Sequence, residues 1–148
     1  MHRVLAIKQR PAEKGMILIA GDLAQLDGIV DWAGLPVERT AAVQATWPGV
    51  HTWVVPALSQ VPRWITGAHD SVAVRVSAHS AVIALCAAFG GPMVSTSANL
   101  TGLPAVRTLD ALDPVLLARL DGVLDGQTGD LDRATPIRDA RSGESLRS

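Results

Sequence analysis

The chain has 148 residues, of which 48% are hydrophobic and 18% charged, a composition that suits one globular domain and excludes an intrinsically disordered chain. Its net charge of −1 argues against nucleic-acid binding by bulk charge alone, and its single cysteine, Cys86, excludes an internal disulfide framework. No apolar run reaches membrane-spanning length, and the N-terminal apolar segment is too short for a signal peptide, so we expect a cytoplasmic protein that does not bind membranes.

The N-terminal part of the chain predicts two helices around one buried strand. Residues 1–8 predict the end of a helix, which Pro11 stops. The apolar run MILIA at 16–20 predicts a buried strand. Asp22 then caps a predicted helix whose apolar face extends to Val30.

The middle of the chain predicts a helix followed by two strands. Pro36 opens the helix, which extends to Trp47. HTWVVP at 51–56 and VAVRV at 72–76 predict strands, and a loop over 57–70 joins them.

The C-terminal half predicts two more helices and three short strands. The helices cover 79–89 and, capped by a threonine, 108–120. The strands are MVST at 93–96, GVLDG at 122–126 and TPIRD at 135–139. Strands alternating with helices predict a single α/β domain with a mixed parallel and antiparallel sheet.

The first candidate site is basic and follows the N-terminal helix. Lys8 and Arg10 lie in the sequence KQRP, and Lys14 follows four residues after Arg10. These side chains can converge on one anion, because Arg presents a planar fork to phosphate oxygens and Lys presents a point charge. The alternative is a basic turn that faces water.

Arg75 interrupts the apolar strand VAVRV. An arginine in such a strand needs a partner, because burying an unpaired charge is costly. It either points from a sheet face into a cleft and binds a carboxylate ligand, or it pairs with an aspartate in a structural role. The pattern leaves both interpretations open.

The stretch PMVSTSANLTG places hydroxyl and amide groups where a strand should end. Ser95, Ser97 and Asn99 would lie at the carboxyl end of that strand, which is where open α/β sheets bind ligands. Their side chains can bond phosphate or carboxylate oxygens without adding charge. The alternative is a Ser/Asn turn that satisfies its own backbone.

Several common catalytic sites are excluded because their motifs are missing. The sequence contains neither GxxxxGK[ST] nor GxGxxG, and Ser97 does not lie in a GxSxG motif. The four histidines lack metal-binding spacing, and one cysteine cannot build a zinc site. We therefore predict neither a nucleophilic serine nor a metal held by side chains.

Five segments, taken together and in order, resemble the YrdC-type threonylcarbamoyl-AMP synthases. They are KQRP with KGMILIA, WPGVHTWVVPA, PRWITGAHDSVAVRV, PMVSTSANLTGLPAVRT and IRDARSGESLR. The resemblance implies a twisted mixed sheet with a concave basic cleft. It also implies synthesis of L-threonylcarbamoyladenylate and pyrophosphate from L-threonine, bicarbonate and ATP, with Mg²⁺. Partner proteins then transfer the threonylcarbamoyl group to tRNA.

The resemblance also assigns the candidate residues to the two larger substrates, with no acid or base catalyst. Contacts with ATP are implied for Lys8, Arg10, Lys14, Ser71, Ser97, Asn99 and Arg147. Contacts with threonine are implied for Arg75, which would hold the carboxylate, and for Ser95 and Thr135.

One family segment has no counterpart in this sequence. The family begins with a strand that carries a YPTE-like motif, whose tyrosine and threonine line the substrate site. We therefore expect residues 1–148 to form a YrdC-like domain that is truncated at its N-terminus. An opened sheet edge and a missing pocket wall would make it less stable, and weak or inactive as a synthase.

Two other functions stay open at this point. YrdC-like domains have been described as binders of double-stranded RNA, so a non-catalytic RNA-binding module is the second hypothesis. A carbamoyl-transfer domain like that of hydrogenase-maturation proteins is the third. It is disfavoured because the sequence carries no zinc-finger or acylphosphatase neighbour.

Overall fold

A computed structural model describes residues 2–8, 10–100, 102–124, 126 and 134–147 of the protein. The strands are β1 (Ile17–Ala20), β2 (Thr52–Pro56), β3 (Ser71–Val76), β4 (Met93–Ser95), β5 (Ile137–Asp139) and β6 (Ser145–Arg147). The α-helices are α1 (His2–Lys8), α2 (Val37–Gln44), α3 (Arg63–Thr66), α4 (Ser80–Phe89) and α5 (Pro114–Leu117). Short 3₁₀ helices cover Ala12–Lys14, Leu23–Leu26, Trp32–Gly34 and Leu109–Ala111.

All these strands join one sheet in the order β4-β1-β3-β2-β5-β6. The pairs β1–β3 and β2–β5 are parallel, whereas β1–β4, β2–β3 and β5–β6 are antiparallel. The predicted mixed α/β sheet is therefore confirmed. Because the sheet pairs strands that are distant in sequence, it brings residues from both halves of the chain to one surface.

The sheet has an apolar face and a more polar face, since side chains alternate along each strand. In β3 the three valines are buried, and the residues that alternate with them, Ser71, Ala73 and Arg75, are half-buried. The valines pack into the hydrophobic core with the chain that follows β1, including Leu26 and Val43. The core therefore lies against one face of the sheet and leaves the other face free for a site.

Helix α4 forms from the apolar sequence SAVIALCAAF, as predicted. Gly90 ends it with φ = 83°, a left-handed conformation that favours glycine, and the Gly90 N–H donates to the Cys86 carbonyl. Cys86 is wholly buried and its thiol donates to the Ile19 carbonyl, so it has a structural place in the core. In the described part of the chain, no helix is long and apolar enough to cross a membrane.

The predicted helix after β1 is shorter than expected. Asp22 does cap it, because its carboxylate accepts a hydrogen bond from the Ala24 N–H at 2.8 Å. The element is a 3₁₀ helix that ends at Leu26, so the prediction of a helix as far as Val30 is wrong. Gly28 follows with φ = 79°, which a continuing helix does not allow.

The prediction of one helix over 108–120 is also wrong. This segment forms the 3₁₀ helix Leu109–Ala111 and the short helix α5. Pro114 disfavours helical backbone in the residue before it, so the first helix cannot continue through Asp113. Asp113 instead caps α5, because its carboxylate accepts from the Val115 N–H at 2.7 Å.

The remaining differences concern short elements. The predicted loop over 57–70 contains α3, one helical turn that begins after Pro62. Residues 122–124 of the predicted strand GVLDG are irregular, and Asp125 lies outside the described residues. The strand predicted at 135–139 is confirmed as β5. Strand β6 was not predicted, because its three residues are all exposed and carry no alternating apolar pattern.

Candidate ligand-binding cleft

The polar face of the sheet forms the floor of a cleft of about 1060 Å³. Strand β2 contributes Thr52 and Val54 to this floor, and β3 contributes Ser71, Ala73 and Arg75. The chain before β1, the chain after β4 and the chain before β5 form its walls. The cleft is therefore built from segments that only the sheet topology brings together.

Among the charged side chains that line the cleft, positive ones outnumber negative ones. The Lys and Arg residues that line it are Arg10, Lys14, Arg75, Arg107 and Arg147. Among the described lining residues, Asp139 is the only carboxylate. A concave surface with this excess of positive charge raises the local concentration of anions. The net charge of −1 therefore conceals an uneven distribution of charge over the molecule.

Arg75 is half-buried in the floor of the cleft, and its Nε atom has no hydrogen-bond partner among the described residues. No described aspartate or glutamate forms an ion pair with it. Burial lowers the pKa of its guanidinium, and the nearby charge of Arg147 lowers this pKa further. Of the two interpretations of the sequence, this environment favours the carboxylate ligand, because a half-buried cation beside another cation lacks a counter-charge.

Arg147 belongs to β6 and is held by the chain that leads into β5. Its Nε and Nη2 atoms donate to the Thr135 carbonyl at 3.0 and 2.7 Å. The two residues, which were predicted to contact different substrates, are therefore direct neighbours at one end of the cleft.

Lys8 lies at the end of α1 with only 6% of its surface exposed. Its ammonium donates to the Ser97 carbonyl, to the Asn99 carbonyl and, at 2.8 Å, to Asn99 Oδ1. Burial lowers the pKa of this ammonium below its ordinary value, and the Arg10 charge lowers it further. The three N–H groups of the Lys8 ammonium therefore donate to oxygen atoms of the loop after β4.

The loop after β4 also satisfies much of its own polarity. Ser97 Oγ donates to Asn99 Oδ1, the Asn99 N–H donates to the Ser97 carbonyl at 3.0 Å, and Asn99 Nδ2 donates to the Leu103 carbonyl. The sequence left two interpretations open, a self-satisfied turn and a ligand-facing loop. The geometry combines them, because Ser95, Thr96 and Ser97 line the cleft, whereas Asn99 is outside the lining and forms hydrogen bonds within the turn.

Arg10 and Lys14 lie on the wall that precedes β1. Arg10 Nε and Nη2 donate to the Gly15 carbonyl at 3.3 and 3.2 Å, so the arginine folds back over the 3₁₀ helix Ala12–Lys14. Lys14 is exposed and lines the cleft. The two cations therefore line the cleft from the same short segment, and a shared anion site there stays a prediction.

The structure brings most of the predicted site residues together. Those that line the cleft are Arg10, Lys14, Ser71, Arg75, Ser95, Ser97, Thr135 and Arg147. Lys8 and Asn99 are outside the lining and support the loop that carries Ser97. The individual roles toward ATP and threonine stay predictions.

Sequence reasoning missed Thr52, Arg107 and Asp139, which also line the cleft. Thr52 lies in the sequence HTWVVP, which predicts an ordinary strand. A threonine on the same face of this strand as Val54 is only a weak signal that this face forms the polar floor of a cleft. Arg107 follows the STSAN segment closely in sequence, so its proximity to the loop could have been inferred.

A resident metal was not predicted, and Mg²⁺ was implied only with ATP. Among the described residues, no group of three His, Cys, Asp or Glu side chains is placed to hold a metal ion. Protein-bound Mg²⁺ usually takes its oxygen ligands from one or two carboxylates together with waters and substrate phosphates, so the described lining does not form an all-protein magnesium site.

Comparison with known sequences settles the family. A profile of Sua5, YciO and YrdC sequences, described as telomere recombination, matches residues 1–148. The chain belongs to the Sua5/YciO/YrdC family. The resemblance drawn from the five sequence segments is therefore confirmed.

Two close relatives of this chain have the same name. A protein of Stenotrophomonas maltophilia named threonylcarbamoyl-AMP synthase is 58% identical over 148 residues, which are 100% of this chain and 80% of the relative. A protein of Xanthomonas campestris pv. campestris with the same name is 57% identical over 98% of this chain and 78% of its own length.

Solved structures of the Sua5/YciO/YrdC family show the same fold. The crystal structure of P. abyssi Sua5 complexed with L-threonine has a TM-score of 0.81 and 28% identity over 93% of this chain. The present chain spans 40% of that Sua5 chain. E. coli YciO has a TM-score of 0.72 at 22% identity, covering 100% of this chain and 74% of YciO, and shows the fold alone.

Proposed function

We propose that this chain makes L-threonylcarbamoyladenylate and pyrophosphate from L-threonine, bicarbonate and ATP in the cleft. The observation that carries the proposal is Arg75, a half-buried arginine that lacks a carboxylate partner among the described residues and faces a cleft lined by cations. The printed name of the 58% identical relative supports it, as does the threonine complex of a structural neighbour.

The proposed roles follow from charge and position. Arg75 binds the threonine carboxylate with a charge-assisted hydrogen bond, and Ser95 and Thr135 add neutral hydrogen bonds around it. Arg10 and Lys14 bind the triphosphate from the wall that precedes β1, and their charges offset those of its oxygens. The remaining ATP contacts in the proposal are Ser71, Ser97 and Arg147, with Lys8 and Asn99 acting through the loop.

The proposed reaction needs little covalent chemistry from the protein. The threonine amine reacts with carbon dioxide and loses a proton, or with bicarbonate and loses water, to form a carbamate. A carbamate oxygen then attacks the α-phosphorus of ATP, and the bond from this phosphorus to its bridging oxygen breaks so that pyrophosphate leaves. Positioning two bound substrates and stabilising charge on the phosphoryl group account for catalysis of such a step. We assign no general base. Mg²⁺, where used, would enter on the triphosphate, and partner proteins would transfer the product's threonylcarbamoyl group to tRNA.

Calorimetry of the two substrates tests this function. We expect the wild-type chain to bind both L-threonine and ATP. Arg75→Met should weaken threonine binding by at least about 30-fold, since it removes the charge-assisted contact, and should leave ATP binding within about threefold. Arg63→Met, an exposed arginine outside the cleft lining, is the matched control and should change neither affinity. A wild-type chain that binds neither substrate contradicts the proposal.

The second candidate function is a non-catalytic RNA-binding module, which the cations lining the open cleft favour. Binding of tRNA measured at several salt concentrations distinguishes it. A steep salt dependence without any heat of ATP or threonine binding would support the module. Substrate binding together with threonine- and bicarbonate-dependent pyrophosphate release would support the synthase.

A further inference from the structure

Two buried polar side-chain atoms have no hydrogen-bond partner within the described residues, Thr52 Oγ1 and Arg75 Nε. Thr52 is fully buried, with 0% of its surface exposed. Buried polar groups are nearly always paired in folded proteins, because leaving one unpaired costs its full desolvation energy. Two such atoms in one chain therefore call for a common explanation.

The sheet register places these two residues side by side. In the antiparallel pair β2–β3, Val54 lies opposite Ala73 and Trp53 lies opposite Val74. The same register continued by one residue sets Thr52 opposite Arg75. Both side chains line the cleft, so they share one face of the sheet. Directly opposed residues have Cβ atoms about 4.5–5.5 Å apart, within reach of a hydrogen bond from a long side chain.

The two unpaired groups are chemically complementary. Arg Nε carries an N–H that can only donate, and the threonine hydroxyl oxygen can accept. Both atoms are closed to solvent, so a ligand in the cleft does not reach them directly. The partner that satisfies Arg75 Nε must therefore come from the protein, and Thr52 is the adjacent group of the right kind.

We propose that Thr52 is a positioning residue for Arg75. When a carboxylate binds the outer nitrogens of the guanidinium, Arg75 Nε donates a hydrogen bond to Thr52 Oγ1, and this bond fixes the plane of the guanidinium fork. The role rests on the proposed binding of threonine through Arg75. A guanidinium that is already fixed by the bond to Thr52 loses less conformational entropy when its outer nitrogens bind the carboxylate. Thr52 therefore increases the affinity for threonine without contacting threonine.

Two substitutions at Thr52 separate positioning from packing. Thr52→Val keeps the shape and removes the hydroxyl, whereas Thr52→Ser keeps the hydroxyl. We expect Thr52→Val to weaken threonine binding about 10-fold in calorimetry and to leave ATP binding unchanged. We also expect its ligand-free melting temperature to stay level or rise, since the variant removes an unpaired buried hydroxyl. Thr52→Ser should bind threonine within about threefold of wild type.

Thr46→Val is the matched control. Thr46 lies outside the cleft lining, and its hydroxyl donates to the Val43 carbonyl at 2.7 Å, so this variant removes a threonine hydroxyl away from the cleft. This variant should leave threonine affinity unchanged. In an Arg75→Met background, Thr52→Val should have no further effect on threonine binding, because the two residues act through one another.

The outcomes distinguish this inference from the proposed function. A wild-type chain that does not bind threonine overturns the proposed function and the positioning role with it. Threonine binding by wild type, with equal affinity in Thr52→Val, overturns only the role of Thr52. Failure of Thr52→Ser to retain affinity, or an equal loss of ATP binding in Thr52→Val, also overturns it, since either result indicates a packing defect.

Discussion

The buried ammonium of Lys8 shows how one side chain can shape the candidate site from outside it. Its donors hold two backbone carbonyls and one amide oxygen of the loop after β4. The loop in turn presents Ser95 and Ser97 to the cleft. Lys8, which was predicted to contact phosphate, therefore holds the loop that lines the cleft.

Lys8→Met should loosen the loop after β4. Methionine preserves much of the side-chain volume but removes the ammonium that donates to the Ser97 and Asn99 carbonyls, at a cost of about 1–3 kcal/mol in the free energy of unfolding. Denaturant unfolding measures this loss, and amide hydrogen exchange should accelerate at residues 97–99. Lys14→Met is the control, because Lys14 is exposed, and it should leave both measurements unchanged. Equal stability of the two variants would contradict the role assigned to Lys8.

The residue types at the site could be predicted from the sequence, but their contacts could not. Arg75 was recognised because a cation in an apolar strand has few explanations. Its relation to Thr52 depends on the register between β2 and β3, which two short strands separated by a loop do not specify. The contact of Lys8 with Asn99 joins residues 91 positions apart, so no local pattern contains it.

At the scale of elements, two glycines position the basic wall of the cleft. Gly15 ends the 3₁₀ helix that carries Lys14, and Gly67 ends α3. A Cβ on Gly67 would lie 2.3 Å from the Glu13 carbonyl oxygen, so the two chain segments touch through their backbones. A hydrogen bond from the Ala68 N–H to the Glu13 carbonyl, at 3.1 Å, also joins these two chain segments.

Gly67→Ala should separate these two segments. Its φ of 69° strains any residue with a Cβ, and the clash with Glu13 adds to that strain, so we expect a loss of at least about 2 kcal/mol. Gly28→Ala is the matched control. Gly28 has φ = 79° but nothing within 4 Å of the added Cβ, so it reports the backbone strain alone, about 1 kcal/mol. Urea unfolding of both variants measures the difference, and equal losses would refute the steric contact.

The long elements could be predicted because their signals are local. Strand β3 and helix α4 follow from alternation and from an apolar run closed by glycine. The structure of the region after residue 107 could not be predicted in this way. Its leucines predict one helix, and only Pro114 indicates that the segment forms two short helices. Strand β6 carries no apolar pattern, because its edge position leaves every residue exposed.

At the scale of the whole molecule, the net charge is small, but positive side chains are concentrated in the cleft. A net charge of −1 gives no hint of an anion site, yet the described lining of the cleft combines five cations with one carboxylate. Composition cannot reveal such a site, because the net charge adds up all charged residues without regard to where they lie in the fold. The fold creates it by bringing residues 10, 75 and 147 around one sheet face.

Pyrophosphate, the inorganic product of the proposed reaction, should therefore stabilise the folded chain. Ligand at 100 times its dissociation constant adds about 2.7 kcal/mol, which corresponds to a rise in melting temperature of about 5–10 °C for a chain of this size. The rise should shrink strongly between 0.1 and 1 M KCl, because the Debye length falls from about 10 to about 3 Å. Lys14→Glu reverses a charge in the cleft and should reduce the rise, whereas Arg63→Glu changes the net charge equally outside the cleft and should preserve it. Equal responses of the two variants would mean that pyrophosphate senses only net charge, and would contradict a localised anion site.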